Sequence, residues 1–323
     1  MIINNKILVF GGTGSLGYEI NKRYLDSNEI YNYSRDEHKH WKMKIHFKNH
    51  KNLKFIVGNV FDKNKVKEAI NRVKPDIIII ASAMKHIDQC EINIGECINT
   101  NLMGTKNIID VVEELDGIVK TVLFVSSDKA CSPINSYGMC KALSENLIIE
   151  KSFYLKKTKF VNIRYGNVLN SNGSIIPRLH LIGQDKTRDC FELTSENMTR
   201  FVMTLSDSVD LIEHALLNGE SGDTVISELK SMNVKDLMEI FAEKYNKEIK
   251  IIGLRSEEKI LETLINETQS CRISVHGKYT HIHSIHDMRE KINDFSNMKT
   301  YDSDINPLSK EELKNYLNKL NLL

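Results

Sequence analysis

Four side chains within one short stretch have the types and spacing to do chemistry together. In Ser126–Lys141, SSDKACSPINSYGMCK, Tyr137 and Lys141 stand four apart, and the doublet Asp128-Lys129 stands eight or nine residues before the tyrosine. On a helix, residues i and i+4 share a face. A nearby ammonium favours the phenolate and lowers the tyrosine pKa toward neutrality. Such a tyrosine can take the proton of a hydroxyl while hydride leaves the same carbon for a nicotinamide. The doublet offers an acid and an amine base, provided burial or neighbours keep a proton on Asp128 and take one from Lys129. On a bare loop the same two residues form a solvated pair, so placement decides.

The elements that must place them are legible in the first half. Apolar runs at Lys6–Phe10, Ile30–Tyr33, Leu53–Val57, Asp76–Ala81, Thr121–Ser126 and Lys159–Arg164 alternate with stretches of helical length, among them Gly14–Ser27, Asp62–Val73, Asn93–Leu115 and Tyr137–Lys156. Continuous apolarity marks strands buried on both faces of a parallel sheet. The expected fold is α/β, a Rossmann-type doubly wound parallel sheet with a smaller α/β lobe over the strand ends. Residues 1–165 would form the dinucleotide domain and 166–323 mainly the substrate lobe, with about 203–228 returning to the large sheet. The helical stretches from Ser206 and after Asn233 each start at a good N-cap.

FGGTGSLG sets Gly11, Gly14 and Gly17 between the first strand and the first helix, in the spacing GxxGxxG. Glycines there let the backbone turn and approach a pyrophosphate, which rests on the helix N-terminus. At the end of the second strand, YSRDE offers Ser34 and Arg35 where an acid would bind the ribose of NAD. A guanidinium forks onto phosphate oxygens, which favours NADP; Asp36 keeps NAD open.

Composition excludes several classes. The 323 residues carry a net charge of +1, with 41% apolar and 27% charged residues, so nothing points to nucleic acid or an anionic membrane. No apolar stretch approaches a membrane span and none reads as a signal peptide. The six cysteines form no CxxC pair and read as reduced thiols, so a cytoplasmic protein is expected. His281, His283 and His286 in YTHIHSIH lack a partner at ligand spacing and read as tail or loop histidines, with no metal expected.

GGTGSLG, YSRDE, AMKHID, ECINTNLMGTKNII, SSDKACSPINSYGMCK, RYGNVLNSNGSIIPRL, MTRF and IIGLRSEEK, taken in order over most of the chain, resemble the UDP-N-acetylglucosamine 4,6-dehydratases among the extended short-chain dehydrogenase/reductases. The resemblance implies oxidation at C4 by Tyr137, removal of the C5 proton by Lys129, departure of the C6 hydroxyl as water with help from Asp128, and hydride return to C6. Ser127 would bond the C4 oxygen. The implied cofactor set is Gly11, Thr13, Gly14, Ser15, Leu16, Gly17, Ser34, Arg35, Asn59, Val60, Ala81 and Ala83, with Tyr137 and Lys141. The implied UDP-sugar set is Lys85, His86, Asn101, Asn167, Arg178, Arg200, Arg255 and Glu258, with Arg200 and Arg255 on the diphosphate. A homo-oligomer, dimer or higher, is implied as well, although the outer faces of Asn93–Leu115 and Tyr137–Lys156 do not read as clearly apolar. Where the family has Pro-Gly, this chain has Ser256-Glu257, and it has Asn59 for an Asp near the adenine. A nucleotide-sugar 4-epimerase and a non-catalytic NADP-binding protein are the alternatives. The choice between UDP-glucose and UDP-N-acetylglucosamine, and the outcome at C5, stay open.

Overall fold

A computed structural model describes residues 2–286 and 299–323. The first half runs β1 (Lys6–Phe10), α1 (Ser15–Tyr24), β2 (Glu29–Ser34), α2 (Glu37–His46), β3 (Leu53–Val57), α3 (Lys63–Val73), β4 (Ile77–Ile80), α4 (Ile87–Ile92), α5 (Ile94–Cys97), a π-helical turn Ile98–Met103, α6 (Gly104–Glu114), β5 (Thr121–Val125), a 3-10 turn Asp128–Ala130, α7 (Ser136–Tyr154) and β6 (Lys159–Ile163). The second half runs β7 (Asn167–Val168), α8 (Ile175–Gln184), β8 (Cys190–Leu193), β9 (Thr199–Met203), α9 (Leu205–Asn218), β10 (Thr224–Ser227), β11 (Lys230–Asn233), α10 (Val234–Tyr245), β12 (Glu248–Ile251), β13 (Thr263–Ile265), α11 (Glu267–Ser270), β14 (Ile273–His276), β15 (Tyr279–Ile282), β16 (Tyr301–Asp302) and α12 (Lys310–Lys319).

The large sheet has the order β14-β15-β10-β6-β5-β4-β1-β2-β3. From β3 to β10 every pairing is parallel; β15 and β14 are antiparallel. The strand alternation explains the continuous apolar runs. Ile7, Val9, Ile79 and Leu123 face one core with Ile20 and Val209, while Leu8, Phe10, Ile80 and Phe124 face the other with Val66 and Ile109. The strand order reverses between β1 and β4, which opens a crevice at the carboxyl ends of the parallel strands.

The smaller lobe packs β7, β9 and β11 with α8, α10 and α12 around Phe191, Met232, Phe241 and Leu313. Helix α9 packs on α1 and β6, and β10 pairs with β6. The hairpin β14–β15, left to the smaller lobe in the sequence reading, extends the large sheet. Three local expectations also differ. Thr204, not Ser206, caps α9, through a reciprocal box with Asp207. Residues 94–114 run as one continuous helix, but Asn93 leaves helical geometry before it and Ile98–Met103 within it is π-helical. Several outward side chains of α4, α5 and α7 are apolar and exposed, Ile92, Ile94, Met139 and Leu143 among them.

Among the described residues, no helix is long and apolar enough to cross a membrane.

Candidate active site

A cavity of about 970 Å³ follows the carboxyl edge of the sheet from the glycine loop to the Asp128–Tyr137 region. At its nucleotide end Gly11 has φ +86°, and a Cβ there would sit 2.7 Å from Ser82 N. Only glycine suits that conformation and that approach. Gly14 precedes α1 without a side-chain cap among the described residues, so the first amides of the helix remain for an anion. Thr13, Ser15, Leu16, Asn59, Val60, Ala81 and Ala83 line this end, whereas Gly17 lies outside the lining, buried against Gly12.

At the end of β2, Thr13 Oγ1 donates to Ser34 Oγ at 3.0 Å, and Ser34 Oγ lies 2.7 Å from His40 Nε2. Arg35 and Lys39 are exposed and line the cavity. Asp36 accepts from Lys39 N at 3.1 Å as the N-cap of α2 and pairs with Lys39 Nζ at 3.6 Å. Asp36 is itself exposed and lines the cavity beside Arg35 and Lys39. These residues and the glycine loop fit a dinucleotide.

At the other end the doublet and the helix-borne tyrosine converge. Asp128 opens the 3-10 turn after β5, and Gly138 lets α7 abut that turn: a Cβ there would lie 2.3 Å from Lys129 O. Asp128 is fully buried; its Oδ1 accepts from Ser127 Oγ at 2.7 Å and from Lys129 Nζ at 3.1 Å. Lys129 Nζ also lies 3.2 Å from Glu262 Oε1 and 3.4 Å from Asn167 Oδ1. Ser127, Lys129, Tyr137 and Lys141 line the cavity, while Asp128 sits just behind it.

Two electrostatic expectations change. Burial alone would depress Lys129, but the Asp128 and Glu262 carboxylates outweigh it and hold the ammonium above its usual range. Burial, reinforced by Asp128, pushes the Tyr137 phenol up, with the Ser127 hydroxyl pulling the other way. Lys141 does not relieve Tyr137, because its Nζ donates to Val125 O at 2.8 Å and sits 4.4 Å over the Phe124 ring. Burial lowers Lys141 itself to about 8.

The substrate residues divide. Lys85 and His86 line the cavity; Lys85 Nζ donates to Asn172 O, and the His86 ring packs on Gly173. Asn172 N donates to Ser15 Oγ at 3.0 Å, so the 166–175 segment that lines the cavity is strapped to both Ser15 and Lys85. Asn167 lines the cavity beside Lys129. Asn101 does not line it: fully buried in the π-turn, it bonds Met84 N and O at 2.7 and 2.9 Å, and its carbonyl takes the Ser144 hydroxyl of α7 at 3.0 Å. Through that bond it braces the helix that carries Tyr137 and Lys141, as support for that pair would require. Arg178 is exposed on α8, outside the lining. Arg200 is buried and spent on backbone, donating to Thr199 O, Ile260 O and Lys259 O at 2.6, 3.2 and 2.9 Å. It ties segment 259–260 to β9 rather than facing the cavity. Arg255 is exposed and pairs with Glu258 at 3.3 Å, also outside the lining.

Sequence reasoning missed Glu262, Tyr165, Lys39 and His40. Tyr165 lines the cavity, and burial raises its phenol, helped by Tyr137 and Asp128. It stands inside RYGNV, which was a usable signal; Glu262 gave none, because only the tertiary fold brings it to Lys129. The histidine reading also changes: His281 lies in β15, and His281 and His283 bond Asp223 at 3.1 and 3.0 Å. Among the described residues no group of three or more such side chains could hold a metal. Cys131 and Cys140 are buried thiols raised by burial, Cys140 to about 12, so neither is a ready nucleophile.

Comparison with known proteins agrees with this architecture. A Methanocaldococcus jannaschii protein named uncharacterized membrane protein MJ1061 is 38% identical over 284 residues, covering 81% of each chain. A Rickettsia typhi protein named UDP-glucose 4-epimerase is 36% identical over 295 residues, covering 87% of this chain and 84% of its own. The X-ray structure of Pen from Bacillus thuringiensis is 30% identical and superposes with a TM-score of 0.89, covering 99% of both chains. The profile of the polysaccharide biosynthesis protein family matches residues 7–284, and the chain belongs to that family.

Proposed function

We propose that this protein is an NADP-dependent UDP-sugar 4,6-dehydratase, acting on UDP-N-acetylglucosamine or UDP-glucose. The carrying observation is the Asp128–Lys129 pair, 3.1 Å apart, with Lys129 lining the same cavity as Tyr137. Oxidation and reduction at one carbon need only the tyrosine; removal of water needs a further acid and base. Moving one proton from Lys129 Nζ to Asp128 converts the ion pair into a neutral amine and a carboxylic acid, the two forms that elimination requires. This answers how a raised lysine can serve as a base.

A nicotinamide held along the Gly11–Gly14 loop would supply an acceptor for hydride from C4 and a donor for its return to C6. Tyr137, entering the step as phenolate against the upward push of burial, takes the C4 hydroxyl proton. Lys129 takes the C5 proton, which the new ketone acidifies, and Asp128 protonates the departing C6 hydroxyl. Lys129 then returns its proton to C5. The balance leaves Tyr137 protonated and Asp128 ionised, so one proton must pass between them before the next turnover. Ser127, whose Oγ donates to Asp128 at 2.7 Å and which contacts Tyr137, lies on that route. Arg255 and Glu258 would meet the nucleotide half, with Arg200 holding their loop.

The 4-epimerase reading is favoured by the name of the Rickettsia relative. The product mass decides between them: the dehydratase releases a nucleotide sugar lighter by one water, and an unchanged mass with altered stereochemistry sinks the reading. For the cofactor, Arg35→Ala is expected to weaken NADP binding roughly 10- to 100-fold, the loss of charge-assisted bonds, and to leave NAD unchanged. Equal effects on both in a fluorescence titration would remove the 2′-phosphate argument. The exposed Ile92, Ile94, Met139 and Leu143 suit association of two copies, and light scattering would report a dimer or higher oligomer.

A further inference from the structure

We propose that Glu262 is a positioning residue for Lys129: it holds the ammonium that forms when Lys129 takes the C5 proton. The proposal rests on the dehydratase reading. Its geometric basis does not.

Glu262 is 2% exposed, and its Oε1 lies 3.2 Å from Lys129 Nζ and 3.7 Å from Arg200 Nε. Its Oε2 is buried without a hydrogen-bond partner among the described residues. The buried pair Glu145–Arg164 shows the contrast. There both carboxylate oxygens accept from one guanidinium, at 2.9, 3.2 and 2.6 Å. A purely architectural carboxylate is satisfied in that way, since an unpaired buried oxygen is costly. Glu262 leaves one oxygen unspent and turns the other to the one member of the doublet that reaches the cavity.

The backbone around it is pinned to the same turn. Glu262 N donates to Ser303 Oγ at 3.0 Å, and Ser303 N donates to Glu262 O at 2.9 Å. Lys259 Nζ donates to Cys131 O at 2.8 Å, and Asn135 Nδ2 donates to Glu257 O at 3.0 Å. Segment 257–262 is thus stapled along the loop that carries Asp128 and Lys129.

Chemistry gives the contact a purpose. To protonate the C6 oxygen Asp128 must itself be protonated, and a neutral Asp128 no longer balances Lys129. The charged groups acting on Lys129 are Asp128, Glu262 and Arg200, with the Tyr137 and Tyr165 phenols beside Asp128. With Asp128 neutral and Arg200 repelling, Glu262 is the carboxylate left to stabilise the new ammonium. An uncompensated buried ammonium is strongly unfavourable, so Glu262 makes Lys129 a stronger base than its burial would allow. Glu262 also follows Arg255–Glu258 within one short segment, so the loop suited to the nucleotide and the partner of the base are placed together.

The test uses the full chain, as wild type, Glu262→Gln and Glu262→Asp. First, without substrate, Lys129 is acylated with acetic anhydride across pH and read by peptide mass spectrometry. The labelling midpoint is expected to fall by about one pH unit or more in Glu262→Gln, because an opposite charge is lost, and to return in Glu262→Asp. An unmoved midpoint overturns the proposal. Second, with NADP and UDP-N-acetylglucosamine, Glu262→Gln is expected to lower kcat for water loss on the order of 10²-fold, with its acidic limb moved to lower pH. KM and the rate of cofactor reduction stay at wild-type values. Equal loss of reduction and dehydration would mean an architectural role and overturn the proposal. Should Glu262→Gln not fold, the wild-type titration still decides, since a Lys129 midpoint below that of Lys141 contradicts it. A wild type that reduces cofactor but releases no water would sink the dehydratase reading alone, because the labelling result stands without it.

Discussion

Lys129→Ala and Asp128→Asn are expected to stop the loss of water while sparing the first oxidation. Each removes one partner of the 3.1 Å pair and keeps the Tyr137 side chain and the cofactor loop, and loss of the Asp128 charge relieves the Tyr137 phenol rather than raising it. General acid or base assistance contributes about 10²–10⁴-fold, so dehydration should fall within that range in either variant. Reduced cofactor should then accumulate on mixing with UDP-N-acetylglucosamine, because C4 oxidation proceeds and elimination does not. The two variants should differ at C5. With Asp128→Asn the base remains, so C5 should still exchange with deuterated solvent; with Lys129→Ala it should not. Full turnover in both would refute the assigned roles, and C5 exchange surviving in Lys129→Ala would assign the base elsewhere.

The largest stability effect is expected at Arg164. Its Nη1 donates to Leu264 O and to Gln269 Oε1, both at 2.8 Å, while Nε and Nη2 hold Glu145. Both side chains of the pair are almost fully buried. Breaking a buried pair from one side costs about 3–5 kcal/mol, because the remaining charge is stranded. Arg164→Met should therefore lower the urea midpoint markedly, and adding Glu145→Leu should recover much of the loss. A double variant no more stable than Arg164→Met would contradict this account. The site should feel the change too, since Leu264 stands two residues from Glu262.

The central strands of the large sheet were legible because they are buried on both faces and therefore read as unbroken apolar runs. Ile77–Ile80, four isoleucines, is the plainest case. The nucleotide end was legible for a related reason: Gly11, Gly14, Ser34 and Arg35 act through local backbone and strand-end position. Legibility failed where a residue's partner is distant in sequence. Arg200 reads as a phosphate ligand in MTRF, yet its donors go to carbonyls about sixty residues away. Asn101, grouped with the sugar contacts, spends its side chain on Met84 and its carbonyl on Ser144 of α7. Glu262 carries no local pattern, and the β14–β15 hairpin lacks the long apolar run of a central strand because it lies at the sheet edge. Protonation was least legible of all. Adjacency of Tyr137 and Lys141 on one helix face suggested mutual tuning, but Val125 O and the Phe124 ring claim the lysine.

The strap through Asn172, joined to Ser15 on one side and Lys85 on the other, bears on the economy of the whole cycle. A reaction that returns its hydride within each turnover has no use for an exchangeable oxidant. Under such a strap the dinucleotide would behave as a tenant rather than a visitor, carried from one sugar to the next. The rate of catalysis would then be independent of the cell's ratio of oxidised to reduced cofactor. Purified protein that keeps its dinucleotide through extended dialysis, and loses it when Asn172 and Gly173 are deleted, would show that arrangement at work.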